Sequence, residues 1–391
     1  MEGVIKLIVD LLAGVGSFFI NPVFYIAIAL SVLLGFFRVK KERQLFRNRI
    51  DVGGAEIAGL VKQGAWMALV FSVIIIGFGI VVPIQWLVAV SVISIVLLLV
   101  GSLHFGSFVY IAAGAVALGW IFQTNGWTAN LLFMEFSGFS IDWQWILPVT
   151  LITGLVVFAE GVLIRKFGSA SSSPRTAKSA RGMNAAFYST KRLWLLPMLL
   201  LVPGTLVETY APFWPQLPIG ESALSIILFP IIIGFQQQAR VTMPIYLYPR
   251  IGKAVQALGA AIFVLSFVSF LWAPSAFLVL LTGLIGRAGI GLYFALKERN
   301  GNFAVAPQSK GVMIVDVLPE SPAAKMGLVR GEVIRKVNGL RVTNESELYE
   351  AIQVNAAHCR LEVLDHRSDV RLRQHVIFHH DHHRLGLIVL S

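Results

Sequence analysis

The chain is poor in two things that most soluble enzymes use freely. Cysteine occurs once, at Cys359, which rules out an intramolecular disulfide and any cage built of several thiolates. Charge is scarce as well: Asp, Glu, Lys and Arg make up 14% of 391 residues, where soluble domains carry about 25%. Histidine is nearly missing from the first three quarters, where His104 stands alone. No His-Glu-x-x-His occurs, so the paired ligands and general base of a membrane zinc protease are lacking. "EFSGF" (135–139) has Glu135 where a rhomboid-type Gly-x-Ser-Gly needs glycine, and no soluble protease domain is present. These absences argue against an enzyme, and no cofactor or metal is expected.

What is abundant is apolar sequence, with 56% hydrophobic residues and a mean hydropathy of +0.75. A membrane-spanning helix takes about 20 apolar residues. On that criterion nine spans are expected, at 17–37, 65–82, 84–101, 104–122, 145–164, 193–210, 222–238, 254–272 and 275–296. Pro83 and the stretch "GSLHFGS" (101–107) mark two of the turns. No cleavable signal peptide is evident at the start.

Lysine and arginine divide the loops into two classes. Residues 38–62 carry seven, 165–192 carry seven and 240–253 carry three, while 123–144 and 211–222 carry none. The basic loops alternate with those that hold no lysine or arginine, which orients the chain with its N-terminus outside and its C-terminus in the cytoplasm; a re-entrant hairpin within 65–122 would remove one span and place the N-terminus inside. Trp127, Trp143, Trp145, Trp214 and Trp272 fall near the expected outer boundaries. The net charge of +11 is thus explained by cytoplasmic loops, with anionic lipid as the expected partner and no nucleic acid. The serine-rich run "GSASSSPRTAKSARG" (168–182) reads as a flexible loop. Glu160 and Arg287 lie within spans, where a charge faces the interior or finds a partner, so the two are candidates to pair.

From 297 the pattern changes. A polar linker (297–304) leads into alternating strands and an amphipathic helix over 305–391. The expected architecture is therefore an α-helical polytopic membrane domain (1–296) and a small α+β domain. The run "VLPESPAAKMGLVRGEVIRKVNGLRV" (317–342) resembles the bacterial PDZ domain through Ser321, Pro322, Ala323, Ala324, Gly327, Leu328, Gly331, Asn338 and Gly339, with Glu332 in place of the usual aspartate. Gly327 and Gly331 suit backbone angles that a side chain obstructs, and Asn338-Gly339 suits a tight turn.

PDZ domains bind by adding a peptide strand at a sheet edge beside a helix. The resemblance makes Leu348 and Ile352, spaced i,i+4 on the helix, either a groove wall or core residues. "RLGL" (384–387) is similar to the family's carboxylate loop but sits at the very end of the chain. Leu385, Gly386 and Leu387 are accordingly either a permuted binding loop or a closing strand. "HHDHH" (379–383) reads as a solvated hairpin loop, since five consecutive residues rarely converge on one ion.

The opening "FFINPVFYIAIALSVLLGFFRVKKER" (18–43), the polytopic region, the single PDZ-like domain and the ending "HHRLGL" together resemble the MinJ family. That resemblance implies a non-enzymatic membrane scaffold for division-site selection, bridging DivIVA-like and MinD-like proteins and concentrated at septa and poles. It leaves self-association open. A transporter or a protease adaptor with a regulatory PDZ domain is the alternative reading.

Overall fold

The computed structural model describes residues 16–46, 49–51, 53–131, 134–138, 143–170, 172–178, 182–204, 216–219, 222–272, 274–306, 310–355, 358–376 and 385–390. The membrane part holds helices α1 (Pro22–Phe46), α2 (Ala55–Lys62), α3 (Ala65–Gly77), α4 (Ile84–Val100), α5 (Phe108–Asn125), α6 (Trp143–Phe167), α7 (Pro244–Ser266) and α8 (Ser275–Arg299). It also holds a small hairpin, β1 (Ala129–Leu131) with β2 (Met134–Phe136), and a sheet of β3 (Ser173–Lys178), β4 (Asn184–Pro203), β5 (Gln216–Ile219) and β6 (Ser222–Ala239). The sheet order is β3-β4-β6-β5, antiparallel throughout.

Among the described residues six helical stretches are long and apolar enough to cross a bilayer: Pro22–Phe46, Ala55–Gly77, Phe108–Asn125, Trp145–Phe167, Pro244–Ser269 and Ser275–Arg299. Ile84–Val100 is apolar but shorter, about 25 Å at 1.5 Å per residue. Gly101, at φ +67°, ends it by turning its N–H back to the Leu97 and Leu98 carbonyls. The expectation of a polytopic helical domain followed by a PDZ unit holds. The count of nine does not, because 193–203 and 222–238 are strands, the first in β4 and the second in β6.

Those two strands pair from Tyr188↔Ala239 to Pro203↔Leu224, a ribbon about 50 Å long at 3.3 Å per residue. Backbone at membrane depth survives outside a helix only where protein covers it. Here Trp194, Leu195, Leu196, Met198, Ile231 and Ile233 are all buried, so both faces of the ribbon are covered. Its outward amides and carbonyls also find partners. Leu199 N donates to Ser72 Oγ, Val82 N to the Leu201 carbonyl, Gly234 N to the Gly106 carbonyl and Ser17 Oγ to the Leu228 carbonyl.

The same parity explains the prolines. Pro197 and Pro230 face each other across the ribbon. Both share the outward parity of Leu199 and Leu228, so neither removes a ladder hydrogen bond. In a helix each would have cost about 3 kcal/mol. Five isoleucines in β6 add side chains that suit a strand. The serine-rich run differs from expectation too: Ser173–Lys178 is a strand paired with Asn184–Ser189.

Helices α6 and α7 pack through glycines at matching seven-residue intervals. A Cβ on Gly154 would lie 2.7 Å from Phe263 N, and one on Gly161 2.4 Å from Gln256 N. From the other side, a Cβ on Gly259 would lie 2.3 Å from Phe158 N, and one on Gly252 2.7 Å from Arg165 N. Small residues of this kind let helix backbones approach closely without solvent to drive them together.

The C-terminal unit contains β7 (Val312–Val317), α9 (Pro322–Lys325), β8 (Val333–Val337), β9 (Leu340–Arg341), α10 (Glu345–Gln353), β10 (His358–Leu364), β11 (Val370–Val376) and β12 (Leu387–Val389). The sheet runs β11-β10-β8-β7-β12, with β9 on β8. Its strand β7 opens on four consecutive apolar residues, Val312–Val315, because both of its faces are buried. Val312 and Ile314 join the unit's own core, and Met313 and Val315 join the core of the membrane part.

Candidate functional site

The strand that closes the chain is outermost in the sheet. β12 pairs antiparallel with β7, Leu387 opposite Val317 and Ile388 opposite Asp316. Leu318 N donates to the Gly386 carbonyl, so by the alternation of an antiparallel ladder the backbone of Leu387 points away from β7. The last described strand thus lies beside the strand that opens the unit. Gly386 (φ +73°) and Leu385 (φ +54°) turn the chain into it, and a Cβ on Gly386 would sit 2.2 Å from Ser321 Cβ. Arg384 and the 379–383 histidine cluster lie outside the described residues.

Helix α10 is started by Asn344, whose Oδ1 accepts Glu347 N. Leu348 and Ile352 on its inner face are buried with Leu385 and Leu387 in one cluster. The four residues meet, and they do so inside the core. Gly327, Gly331 and Gly339 have φ of +70°, +86° and +88°, and Asn338 has φ +50°. Asn338 also ties three elements together: its Nδ2 donates to the Ala351 carbonyl of α10, and its Oδ1 accepts Arg360 N of β10. Cys359 is fully buried, and burial pushes its thiol up to about 11.

The unit is docked on the membrane part. Ala186 N donates to the Val305 carbonyl at 2.8 Å, and Tyr188 Oη donates to the Val315 carbonyl at 2.6 Å. The Arg330 guanidinium lies 5.8 Å from the Tyr188 ring and binds Asp316 at 2.6 Å. Burial raises the Asp316 carboxyl above the ordinary carboxylate range, against the pull of Arg330. Beside this contact a cavity of about 160 Å³ is lined by Arg38, Glu42, Glu56, Arg192, Val317 and Arg330. Within its walls Arg38 binds both Glu42 and Glu56, while the Nε of Arg192 is buried without a hydrogen-bond partner among the described residues.

Glu160 and Arg287 meet as well. Arg287 Nη2 and Nε both lie 2.9 Å from Glu160 Oε1, and Ser107 Oγ donates to Oε2. Both charged groups are buried. Two charges in apolar runs announced themselves in the sequence. Ser107 did not, because a serine in a turn looks like any other. Two charges and a hydroxyl that satisfy one another clamp α6, α8 and the start of α5.

Residues 313–365 match the family described as PDZ domain. Over nearly its whole length the chain is similar to the cell division topological determinant MinJ of Bacillus subtilis (strain 168), 30% identical over 98% of this chain and 96% of that protein. It is 25% identical to the probable MinJ of Lacticaseibacillus paracasei over 97% of this chain and 98% of that one. Likeness to the serine protease HTRA1 of Xenopus laevis, 41% over 58 residues, covers only 15% of this chain and 12% of that protein. The similarity to a protease is thus the size of a PDZ unit, whereas the similarity to the division determinants takes in the helices, the buried ribbon and the docked domain together. This chain belongs to the MinJ family of cell division topological determinants.

Proposed function

We propose that the protein is a non-enzymatic membrane scaffold of division-site selection, bridging a DivIVA-like protein to a MinD-like one so that division is restrained at poles and recent septa. The observation that carries this reading is the end-to-end similarity to MinJ of Bacillus subtilis. The geometry supports it, since the two charges within the apolar helices, Glu160 and Arg287, pair with each other and the PDZ unit is fastened to the membrane part rather than hung on a free tether. Several weak docking contacts held on one anchored body raise effective concentration without any one being strong.

In this reading the basic end and the PDZ unit face the cytoplasm and the N-terminus lies outside. The β4–β6 ribbon returns to the side it started from, and with Ile84–Val100 taken as a seventh crossing beside the six longer helices that sidedness is kept. Residues 1–296 anchor the scaffold, 297–304 join it to the PDZ unit, and 305–391 present the groove. Leu387 at the open edge, with Leu385 and Gly386 turning into it and Leu348 and Ile352 supporting the helix, is where a partner's peptide would add.

The test is a fluorescent fusion followed through division in rod-shaped cells. Concentration at septa and young poles that follows the DivIVA-like protein, and is lost with it, is the expected result. Uniform membrane signal throughout division would sink the proposal. Bridging itself is read by co-purification of the MinD-like partner with the DivIVA-like one, dependent on this chain.

A further inference from the structure

One face of the PDZ sheet is apolar over more strands than the membrane part covers. Cross-strand register aligns Met313, Val333, Leu364 and Val370 in a single row across β7, β8, β10 and β11. Met313 and Val333 are buried in the core shared with the membrane part, and Leu364 packs against that core. At the far end the row emerges: Val370 is 52% exposed and its same-face neighbour Leu372 is 60% exposed. The row therefore starts under the docked contact and ends on an uncovered edge strand.

What lies beneath that end is indicated by the turn joining β10 to β11. His366 in this turn packs edge-on against Tyr246, ring centroids 5.8 Å apart. Tyr246 is in the first turn of α7, a helix long and apolar enough to span the membrane, and is 48% exposed beside Ile245 at 59%. A tyrosine and an isoleucine bared at a span's end, with Arg250 and Lys253 exposed one and two turns deeper, mark the headgroup level. Arg367 in the turn is exposed too. The neighbouring acids are engaged: Asp365 accepts the amides of Arg367 and Asp369 and binds Arg371, and Glu362 binds Arg335 and Lys336. Asp369 is the one other carboxylate in the turn.

We propose that Val370 and Leu372, flanked by Arg367, rest on the anionic bilayer surface beside the start of α7. The contact is separate from the peptide groove at the opposite margin of the sheet. It would hold the sheet parallel to the membrane, leaving β12 and α10 turned toward soluble partners. Apolar side chains at the headgroup boundary, supported by a cation on anionic lipid, are the combination that peripheral membrane contacts use.

The full chain, reconstituted in phosphatidylcholine vesicles with or without phosphatidylglycerol, tests this. An environment-sensitive fluorophore is placed on Leu372→Cys, on Val370→Cys and, as reference, on Val354→Cys at the exposed end of α10. The quencher is a lipid with a spin-labelled headgroup. Buried Cys359 stays unlabelled in the folded protein. Quenching at 372 and 370 well above that at 354, stronger with phosphatidylglycerol, is expected. Arg367→Glu should lower the lipid-contacting fraction about five-fold in the anionic vesicles. Equal quenching at 372 and 354, or quenching indifferent to phosphatidylglycerol, would overturn the proposal. So would energy transfer between labelled copies that replaces lipid quenching and fades on dilution with lipid, since a second copy would then occupy the strand.

Discussion

At the scale of single residues, burial decides what each reactive group can do. Cys359 has its thiol raised from 9.0 to about 11 by burial, so almost none is thiolate near neutrality. Maleimide should label the native protein at least a hundred-fold more slowly than the denatured chain, as followed by mass spectrometry. A raised value also means that the buried thiol's contribution to stability is complete below about pH 9 and is lost as pH climbs through about 11. Glu160 and Arg287 give a sharper prediction. Removing one partner leaves a buried charge uncompensated, so Glu160→Leu or Arg287→Leu should each cost on the order of 3–5 kcal/mol. The double replacement should recover most of that loss in thermal unfolding of the detergent-solubilised protein. If the singles were harmless, the pair would not be the clamp described. Leu348 and Ile352 show the limit of spacing arguments: an i,i+4 pair shares a face, and only the partners in the core say which way that face points.

At the scale of elements, the helices that spacing found are present, while the two apolar runs that became strands were misread by length alone. The signal that could have separated them is specific. Pro197 interrupts the first apolar run within its first turns and Pro230 the second at its middle, and the second run is rich in isoleucine. The ribbon predicts a crosslink that two helices would not form. Leu199 and Leu228 face each other at a non-hydrogen-bonded position, where Cα atoms come within about 4.5 Å. Leu199→Cys with Leu228→Cys should close a disulfide on mild oxidation, seen as a shift on non-reducing gels. Leu199→Cys with Ile227→Cys, one residue out of register, should react far more slowly. The α6–α7 contact is equally exacting: Gly161→Leu drives a side chain into the Gln256 backbone and should lower the unfolding temperature of the membrane part, whereas Gly289→Ala, in open space on α8, should not.

At the scale of the whole molecule, the PDZ unit and the membrane part share a core, so they move and bind as neighbours rather than as beads on a string. Sidedness is the property to test here. With the ribbon returning to its starting side, cysteines placed at Trp127, just past α5, and at Asn300, just past α8, should be modified from opposite faces of the membrane. Labelling of both by the same impermeant reagent in intact cells would overturn the topology. The docked arrangement was not legible in advance, because Met313, Val315 and Val333 look like the inward residues of any strand. Nothing in an isolated strand says that its second face will also be covered.

The sequence by itself determined the class of this protein. Scarce charge and long apolar runs demand a lipid environment whatever the packing, and the Ser321–Gly339 pattern demands the turns of a PDZ domain because few residues tolerate those backbone angles. Tertiary structure alone decided the rest. An apolar run of 20 residues satisfies a bilayer as a helix, or satisfies its neighbours as a strand if they supply hydrogen bonds to its edges. Ser72, Val82, Gly106 and Ser17 supply them here, from positions far apart in the chain, and no local reading of 193–210 or 222–238 can contain that information.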